Sequence, residues 1–255
     1  MTGSSIYFAT LYWYESTMTQ SVNQEQGICF NNVTLVRNGR TVIDQLSLQL
    51  SEARIGLIGH NGSGKSSLLR LINGLLPVNA GQISVFGQNP NSGPEKMSSH
   101  VGFIFQNPDH QIIFPTVEEE LCFGLINQGL PKSKALEKVM TLLSDQGRCD
   151  WAKRPIHSLS DGQKQWVCIV SIILMDPKVI LLDEPFSALD LPTRYQLLSL
   201  LHDLPQQIIM ISHELDSFTD FDRIIWLEQG KVRQDGPTDE ILKAYYADAK
   251  RAQTR

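Results

Sequence analysis

The run Gly59-His60-Asn61-Gly62-Ser63-Gly64-Lys65-Ser66 constrains this chain more than any other, because its spacing, G-x-x-x-x-G-K-[ST], falls between a strand-like run and a helix-like one. Ile55–Ile58 before it is short and apolar; Lys65–Leu76 after it has helical periodicity. Glycines let successive backbone N–H groups turn inward without Cβ clashes, and the following helix adds its own unpaired first-turn N–H groups. Such a loop is an anion nest. Lys65 is then expected to reach the β- and γ-phosphates of a nucleotide, and the Ser66 hydroxyl to bind Mg²⁺. Gly59, Asn61, Gly62, Ser63, Gly64 and Ser67 complete the cradle. A glycine-rich turn that binds nothing would require neither flank.

A second run, Val179-Ile180-Leu181-Leu182-Asp183-Glu184, reads as a fully buried strand with two carboxylates at its C-terminal end, where open α/β sheets bind ligands. Asp183 suits an indirect or water-mediated Mg²⁺ contact, and Glu184 is placed to polarise a water attacking the γ-phosphorus. Carboxylates also end strands as solvated turn residues. The phosphate loop earlier in the chain favours chemistry over that reading.

The rest of the chain supplies a frame for these two signals. Ile28–Val36 and Thr41–Leu50 alternate apolar and polar residues around Asn38-Gly39, a hairpin signal. Strands are expected at Gln82–Phe86, Val101–Phe105 and Ile208–Ile211, and helices from Val117, Pro131, Leu191 and Thr238. Thr116 with Glu119 predicts a capping box, and Leu136, Val139, Met140 and Leu143 predict one apolar face. A last hairpin is expected around Gln229-Gly230. Alternating strands and helices imply a parallel sheet covered on both faces, with the helical stretch of about 107–172 inserted into an α/β core. Residues 1–27 lack this regularity. They read as a flexible extension, as residues upstream of a start at Met18, or as a partner-docking segment.

Composition removes several classes of function. With 42% apolar and 19% charged residues the chain can build a sizeable core. A net charge of −5 argues against a general nucleic-acid binder. Cys29, Cys122, Cys149 and Cys168 form no C-x-x-C pair and read as reduced thiols of a cytosolic protein. No run approaches the ~20 apolar residues needed to cross a bilayer; Trp166–Met175 reads as a buried helix.

Leu159-Ser160-Asp161-Gly162-Gln163 adds a third signal: Ser160 is an N-cap with Gln163 as its capping-box partner, opening a helix whose free N–H groups can face a phosphate. These residues resemble the signature segment of ATP-binding cassette (ABC) nucleotide-binding subunits. In the same order Gln106 resembles the Q-loop glutamine that senses Mg²⁺ and the attacking water, Ser187-Ala188-Leu189-Asp190 the D-loop, and His213 the switch histidine that holds the γ-phosphate. The resemblance runs from Ile28 to about Ala247. It implies an α/β, P-loop NTPase (RecA-like) parallel-sheet core with an N-terminal antiparallel β subdomain and an inserted helical subdomain, residues 28–250 forming one ATPase domain. It also implies a head-to-tail pair of such subunits, homo- or heterodimeric. Ser160, Gly162, Gln163 and Asp190 would then act on the ATP held by the other subunit.

A finer likeness rests on Gln106-Asn107-Pro108-Asp109-His110-Gln111-Ile112-Ile113-Phe114 and Thr116-Val117-Glu118-Glu119-Glu120, which resemble the Q-loop and Q-helix of energy-coupling factor (ECF) importer ATPases. That resemblance implies a transmembrane coupling (T) subunit, a substrate-binding membrane (S) subunit and a place at the cytoplasmic face of the membrane. Glu118, Glu119 and Glu120 would suit arginines of the partner, or form a solvated face favoured by the helix dipole. Arg54–Ser66 and Leu71–Leu75 are most similar to biotin-importer ATPases within that group, with cobalt and nickel importers the alternative and a soluble non-transport ABC ATPase a further one.

Two positions depart from the family pattern. Arg37 lies where an aromatic residue often stacks on adenine; its guanidinium plane can stack, or simply face solvent. Asp161 replaces the usual first glycine of the signature and is expected to point away from the triphosphate.

Overall fold

Ile28–Leu50 forms the expected hairpin. β1 (Ile28–Arg37) and β2 (Arg40–Leu50) pair antiparallel around Asn38 and Gly39, whose φ angles of 50° and 74° give the left-handed turn that matches strand twist. The computed structural model describes residues 27–187 and 189–252, so the expected extension over residues 1–26 lies outside the described residues.

The chain continues through β3 (Arg54–Ile58), α1 (Lys65–Ile72), β4 (Ala80–Val85), the short α2 (Pro94–Met97) and β5 (Val101–Ile104). Three longer helices follow: α3 (Val117–Asn127), α4 (Lys132–Asp145) and α5 (Asp161–Leu174). Then come β6 (Val179–Asp183), α6 (Leu191–His202), β7 (Gln207–Ile211), β8 (Arg223–Glu228), β9 (Lys231–Pro237) and α7 (Thr238–Ala252). α1 stops short of the expected Leu76. Gly74 takes φ 76°, where a Cβ would lie 2.6 Å from the Pro90 carbonyl, and the Asn73 side chain accepts from Leu75 N. A left-handed glycine just past a C-cap ends a helix regardless of the apolar residues beyond it.

β4 joins the hairpin in a three-stranded antiparallel sheet ordered β2-β1-β4. The larger sheet is ordered β5-β6-β7-β3-β8-β9, parallel from β5 to β8, with β9 added antiparallel. Its parallel strands β5, β6, β7 and β3 are mostly apolar because both faces are covered, and successive residues feed two different cores. In β6, Val179 and Leu181 enter the core shared with α1 and the small sheet, whereas Ile180 and Leu182 enter the core shared with α3–α7. β7 divides the same way, Ile209 and Ile211 against Ile208 and Met210.

The helical stretch follows the expected order with three local differences. Thr116 precedes α3 but spends its hydroxyl on the Glu119 carboxylate at 2.6 Å, so no capping box forms there. On α4 the buried positions are Ala135, Val139 and Leu143, while Met140 faces outward. Glu120 is buried and accepts from Ile113 N and Phe114 N at 2.9 and 2.8 Å, clamping the preceding loop onto α3. It is not a face offered to a partner. Glu118 is mostly covered and paired with Lys153, which leaves Glu119 the exposed member of the three. Among the described residues no helix is long and apolar enough to cross a membrane.

Candidate active site

Four adjacent parallel strands, β5, β6, β7 and β3, release their following loops at one edge of the sheet, and every chemistry-bearing residue singled out on those loops arrives there. β3 leads into the phosphate loop. Gly64 takes φ 105° as the N-cap of α1, with no side-chain cap and no acidic residue in the first turn, so the first-turn N–H groups of Lys65, Ser66 and Ser67 face the loop mouth without a built-in acceptor. A Cβ on Gly64 would lie 2.7 Å from Ile43 Cδ1 and 3.0 Å from the Val42 carbonyl, so the start of β2 presses directly on the loop. Gly62 also has a positive φ, 80°, with nothing near its missing Cβ, which leaves the loop's outer side open.

Lys65 is buried and donates to the carbonyls of Gly59 and His60 at 2.7 and 3.1 Å, curling its ammonium into the loop. Burial lowers its pKa against the opposing pull of Glu184 and Asp183. Beside it the Ser63 hydroxyl is buried with no hydrogen-bond partner. An ammonium resting on its own loop's carbonyls and an orphaned hydroxyl are what an anion entering from outside would engage.

Ser66 Oγ donates to Asp183 Oδ1 at 2.9 Å, joining α1 to the end of β6. Burial raises the Asp183 carboxyl, more than the Ser66 hydrogen bond and the nearby Arg70 lower it. Lys65 also pulls it down, but burial outweighs both cations. The next residue, Glu184, takes φ 53°, a left-handed conformation uncommon for a non-glycine residue and typical of functional turns. Its N–H stays bonded to Ile211 O at 3.0 Å, so the reversal begins while the backbone still pairs with β7. The turn aims its carboxylate at two neighbours from neighbouring strands. His213 Nε2 lies 3.1 Å from Oε1, and Gln106 Nε2 lies 3.4 Å from Oε2. Gln106 also donates to Ser187 Oγ at 3.3 Å.

The structure thus brings together Gly59–Ser67, Gln106, Asp183, Glu184 and His213. It keeps others apart from them. Ser160 caps α5 as expected, its hydroxyl accepting from Gln163 N at 3.3 Å while Gln163 Oε1 accepts from Ser160 N at 3.1 Å. Gly162 packs against α6, where a Cβ would meet Thr193 Cγ2 at 2.5 Å. Asp190 caps α6, its Oδ1 accepting from Thr193 N at 2.9 Å. These residues make no bond to the phosphate loop of their own chain among the described residues. Arg37 is exposed at the end of β1, also without a bond to the loop.

Sequence reasoning missed several contributors. Gln111 joins the loop to α5: its Oε1 accepts from Phe105 N and its Nε2 donates to Cys168 O, both at 3.3 Å. Lys164 pairs with Asp109 at 2.7 Å across the same gap. Arg194 and Glu214 form an ion pair beside His213. No local spacing marks the pairs Gln111–Cys168, Lys164–Asp109 and Arg194–Glu214, which lie 20 to 57 residues apart.

The donor set fits a hard cation shared with substrate phosphates. It offers a hydroxyl (Ser66), a carboxylate (Asp183) and an amide oxygen (Gln106), all oxygen ligands. Among the described residues no cluster of three or more His, Cys, Asp or Glu groups forms, so the protein alone does not build a complete cage. That is the character of a Mg²⁺ site completed by phosphate and water.

A family model described as ABC transporter matches residues 43–187. The biotin transport ATP-binding protein BioM of Rhodobacter capsulatus is 46% identical over 87% of this chain and 95% of its own length. The energy-coupling factor transporter ATP-binding protein EcfA1 of Ligilactobacillus salivarius is 39% identical over 81% of this chain and 75% of its own. Among solved structures, cbiO1 from Clostridium perfringens, described as part of the ABC transporter complex cbiONQ, superposes with a TM-score of 0.75 at 26% identity, covering 88% of this chain and 93% of that one. The parallel core, added antiparallel sheet and helical stretch are therefore those of a P-loop ATPase. The chain belongs to the ABC transporter family, as an ATPase of that family.

Proposed function

We propose that this chain is the ATPase subunit of an energy-coupling-factor importer and that the cargo is biotin. The observation that carries the ATPase part is the Glu184 carboxylate held at once by His213 and Gln106, one residue after the Asp183 that takes the Ser66 hydroxyl. The biotin assignment rests on the 46% identity to a biotin transport ATP-binding protein.

In this reading residues 28–250 work as one ATPase domain. The N–H groups of Gly59–Ser67 cradle the triphosphate, and Lys65 leaves the Gly59 and His60 carbonyls for the β- and γ-phosphates. Ser66, Gln106 and Asp183 would hold Mg²⁺. When bound, that ion neutralises charge building on the phosphate oxygens. Glu184 orients a water and draws on its proton as the water oxygen bonds to the γ-phosphorus and the bond to the β–γ bridging oxygen breaks, leaving ADP and phosphate. His213 fixes Glu184 and the γ-phosphate relative to each other, and Gln106 reports the filled site to the loop before α3.

Arg37 lies flat on the adenine. Ser160, Gly162, Gln163 and Asp190 act on the nucleotide of a second ATPase subunit, which is why they stand away from their own phosphate loop. T and S membrane subunits dock on the helical side, holding the chain at the cytoplasmic face. Uptake of labelled biotin, with labelled cobalt and nickel ions in parallel, tests the assignment in cells that carry the wild-type chain or Lys65→Ala. Biotin uptake lost with Lys65→Ala supports it; loss of metal-ion uptake alone gives the cargo to a metal importer, and loss of neither removes the transport reading.

A further inference from the structure

His213 reaches Glu184 only if the loop after β7 holds its place; Ser212 is buried at its start, but His213 itself is half-exposed. Its shape is set locally by Ser212, whose Oγ accepts from Glu214 N at 3.0 Å and donates to Glu214 O at 3.3 Å. Such a turn fixes its own conformation but not its position on the protein. Leu215 and Phe218 pack into the core just beyond it, and the side-chain anchor next to His213 itself is the Arg194–Glu214 ion pair. Arg194 is 11% exposed, so its guanidinium is nearly desolvated and its carboxylate partner holds it in one place.

Arg194 stands in the first turn of α6, and that turn touches two other functional segments. Thr193 N donates to Asp190 Oδ1, and Thr193 Cγ2 fills the space where Gly162 lacks a side chain. One helical turn therefore meets the loops of His213, Asp190 and Gly162. Its connection to His213 passes through Arg194.

Resting on the ATPase reading above, we infer that Arg194 is a positioning residue for hydrolysis: through Glu214 it fixes the loop that presents His213 to Glu184. The Arg194 side chain pairs with Glu214 and not with the phosphate loop or Glu184 among the described residues, so it acts through its partner. Losing it lets His213 drift from Glu184 while leaving the phosphate loop, and so ATP affinity, in place. Misplacement of a reacting group by about 1 Å costs on the order of a hundred-fold in rate.

The test measures kcat and KM for Mg-ATP, and equilibrium binding of a fluorescent ATP analogue, on the full chain. Arg194→Met, Arg194→Lys and the exchange Arg194→Glu with Glu214→Arg are compared with wild type and with His213→Ala. Arg194→Met is expected to lower kcat by about ten-fold or more, with analogue affinity within about three-fold. Arg194→Lys, or the exchanged pair, is expected to recover most of that loss. Because deleting one partner of a buried pair can unfold a protein, the exchanged pair decides the matter if Arg194→Met does not fold. Parallel loss of affinity and rate in every variant, or a wild-type kcat in Arg194→Met, overturns the inference. If His213→Ala keeps the wild-type rate, the role given to His213 falls and the inference with it. If His213→Ala loses the rate and Arg194→Met does not, the inference alone fails.

Discussion

Replacing Glu120 by alanine separates two readings of the acidic start of α3. As a partner-facing surface acid it would cost the isolated protein little. As the buried acceptor of the Ile113 and Phe114 N–H groups, at 2.9 and 2.8 Å, its removal leaves two backbone donors without an acceptor. An unsatisfied buried donor costs about 1–3 kcal/mol. Ile113 is 68% exposed, so water would reach its N–H after truncation, and returning a buried carboxylate's site to apolar contact offsets part of the loss. The net cost is then about 2–3 kcal/mol, toward the lower end for two donors. For a chain of this size 1 kcal/mol moves the melting temperature by about 2–4 °C, so Glu120→Ala should melt about 4–12 °C lower. Glu120→Gln keeps one acceptor oxygen and should lose about 1 kcal/mol. Glu118→Ala, which removes a pair with the 80% exposed Lys153, should lose less than about 1 kcal/mol. Thermal unfolding followed by circular dichroism measures all three. A Glu120→Ala protein that melts within about 1 °C of wild type would refute the clamp.

Three further outcomes follow from the site. Because burial raises the Asp183 carboxyl, folded protein keeps a proton that the unfolded chain has lost between the ordinary aspartate value and the raised one, so in that window stability falls as pH rises. Asp183→Asn should therefore melt no lower than wild type at pH 7, with any advantage fading as pH drops through the raised value, while Mg-ATP hydrolysis is lost; a lower melting temperature at neutral pH counts against the buried-charge argument. Gly64→Ala should fold less stably by about 1–3 kcal/mol and lose ATP affinity, since φ 105° and the Val42 carbonyl leave its Cβ no place; unchanged ATP binding contradicts this. Arg148 packs over both Trp151 and Trp166, 4.5 and 4.7 Å from their ring centroids, beside the edge where the two rings meet, and Arg148→Met should lower unfolding free energy by about 1–3 kcal/mol in a denaturant titration; no change means these contacts contribute nothing.

The local features were legible because they are written in adjacent residues. Asn38-Gly39 turns as its left-handed preference requires, Gly230 supplies the same freedom beside Gln229, and Ser160 with Gln163 caps α5 through a reciprocal pair of bonds three residues apart. The phosphate loop and the carboxylates after β6 were readable because both the spacing and the flanking strands are local. Thr116 shows where such reading stops. The same Thr–x–x–Glu spacing gave a side-chain pair instead of a capping box, since hydroxyl and carboxylate bonded each other. Glu120, Gln111 and Arg194 were out of reach for a different reason. Their partners are fixed by which helix packs on which strand, and no pattern within α3 or α6 announces a bond to a distant loop. Arg54 is the extreme case, closing the C-terminal end of α6 by donating to the Gln206, His202 and Leu204 carbonyls from about 150 residues away.

The account turns on Glu184 as the group that readies water, distinct from those that hold the nucleotide. Glu184→Gln preserves size and keeps one oxygen to accept from His213 or Gln106 but removes the basic carboxylate. Measured side by side, ATP binding and phosphate release by this variant should part company: affinity within a few-fold of wild type, release slower by about 10²–10⁴. A Glu184→Gln protein that releases phosphate at the wild-type rate would contradict the assignment at its centre.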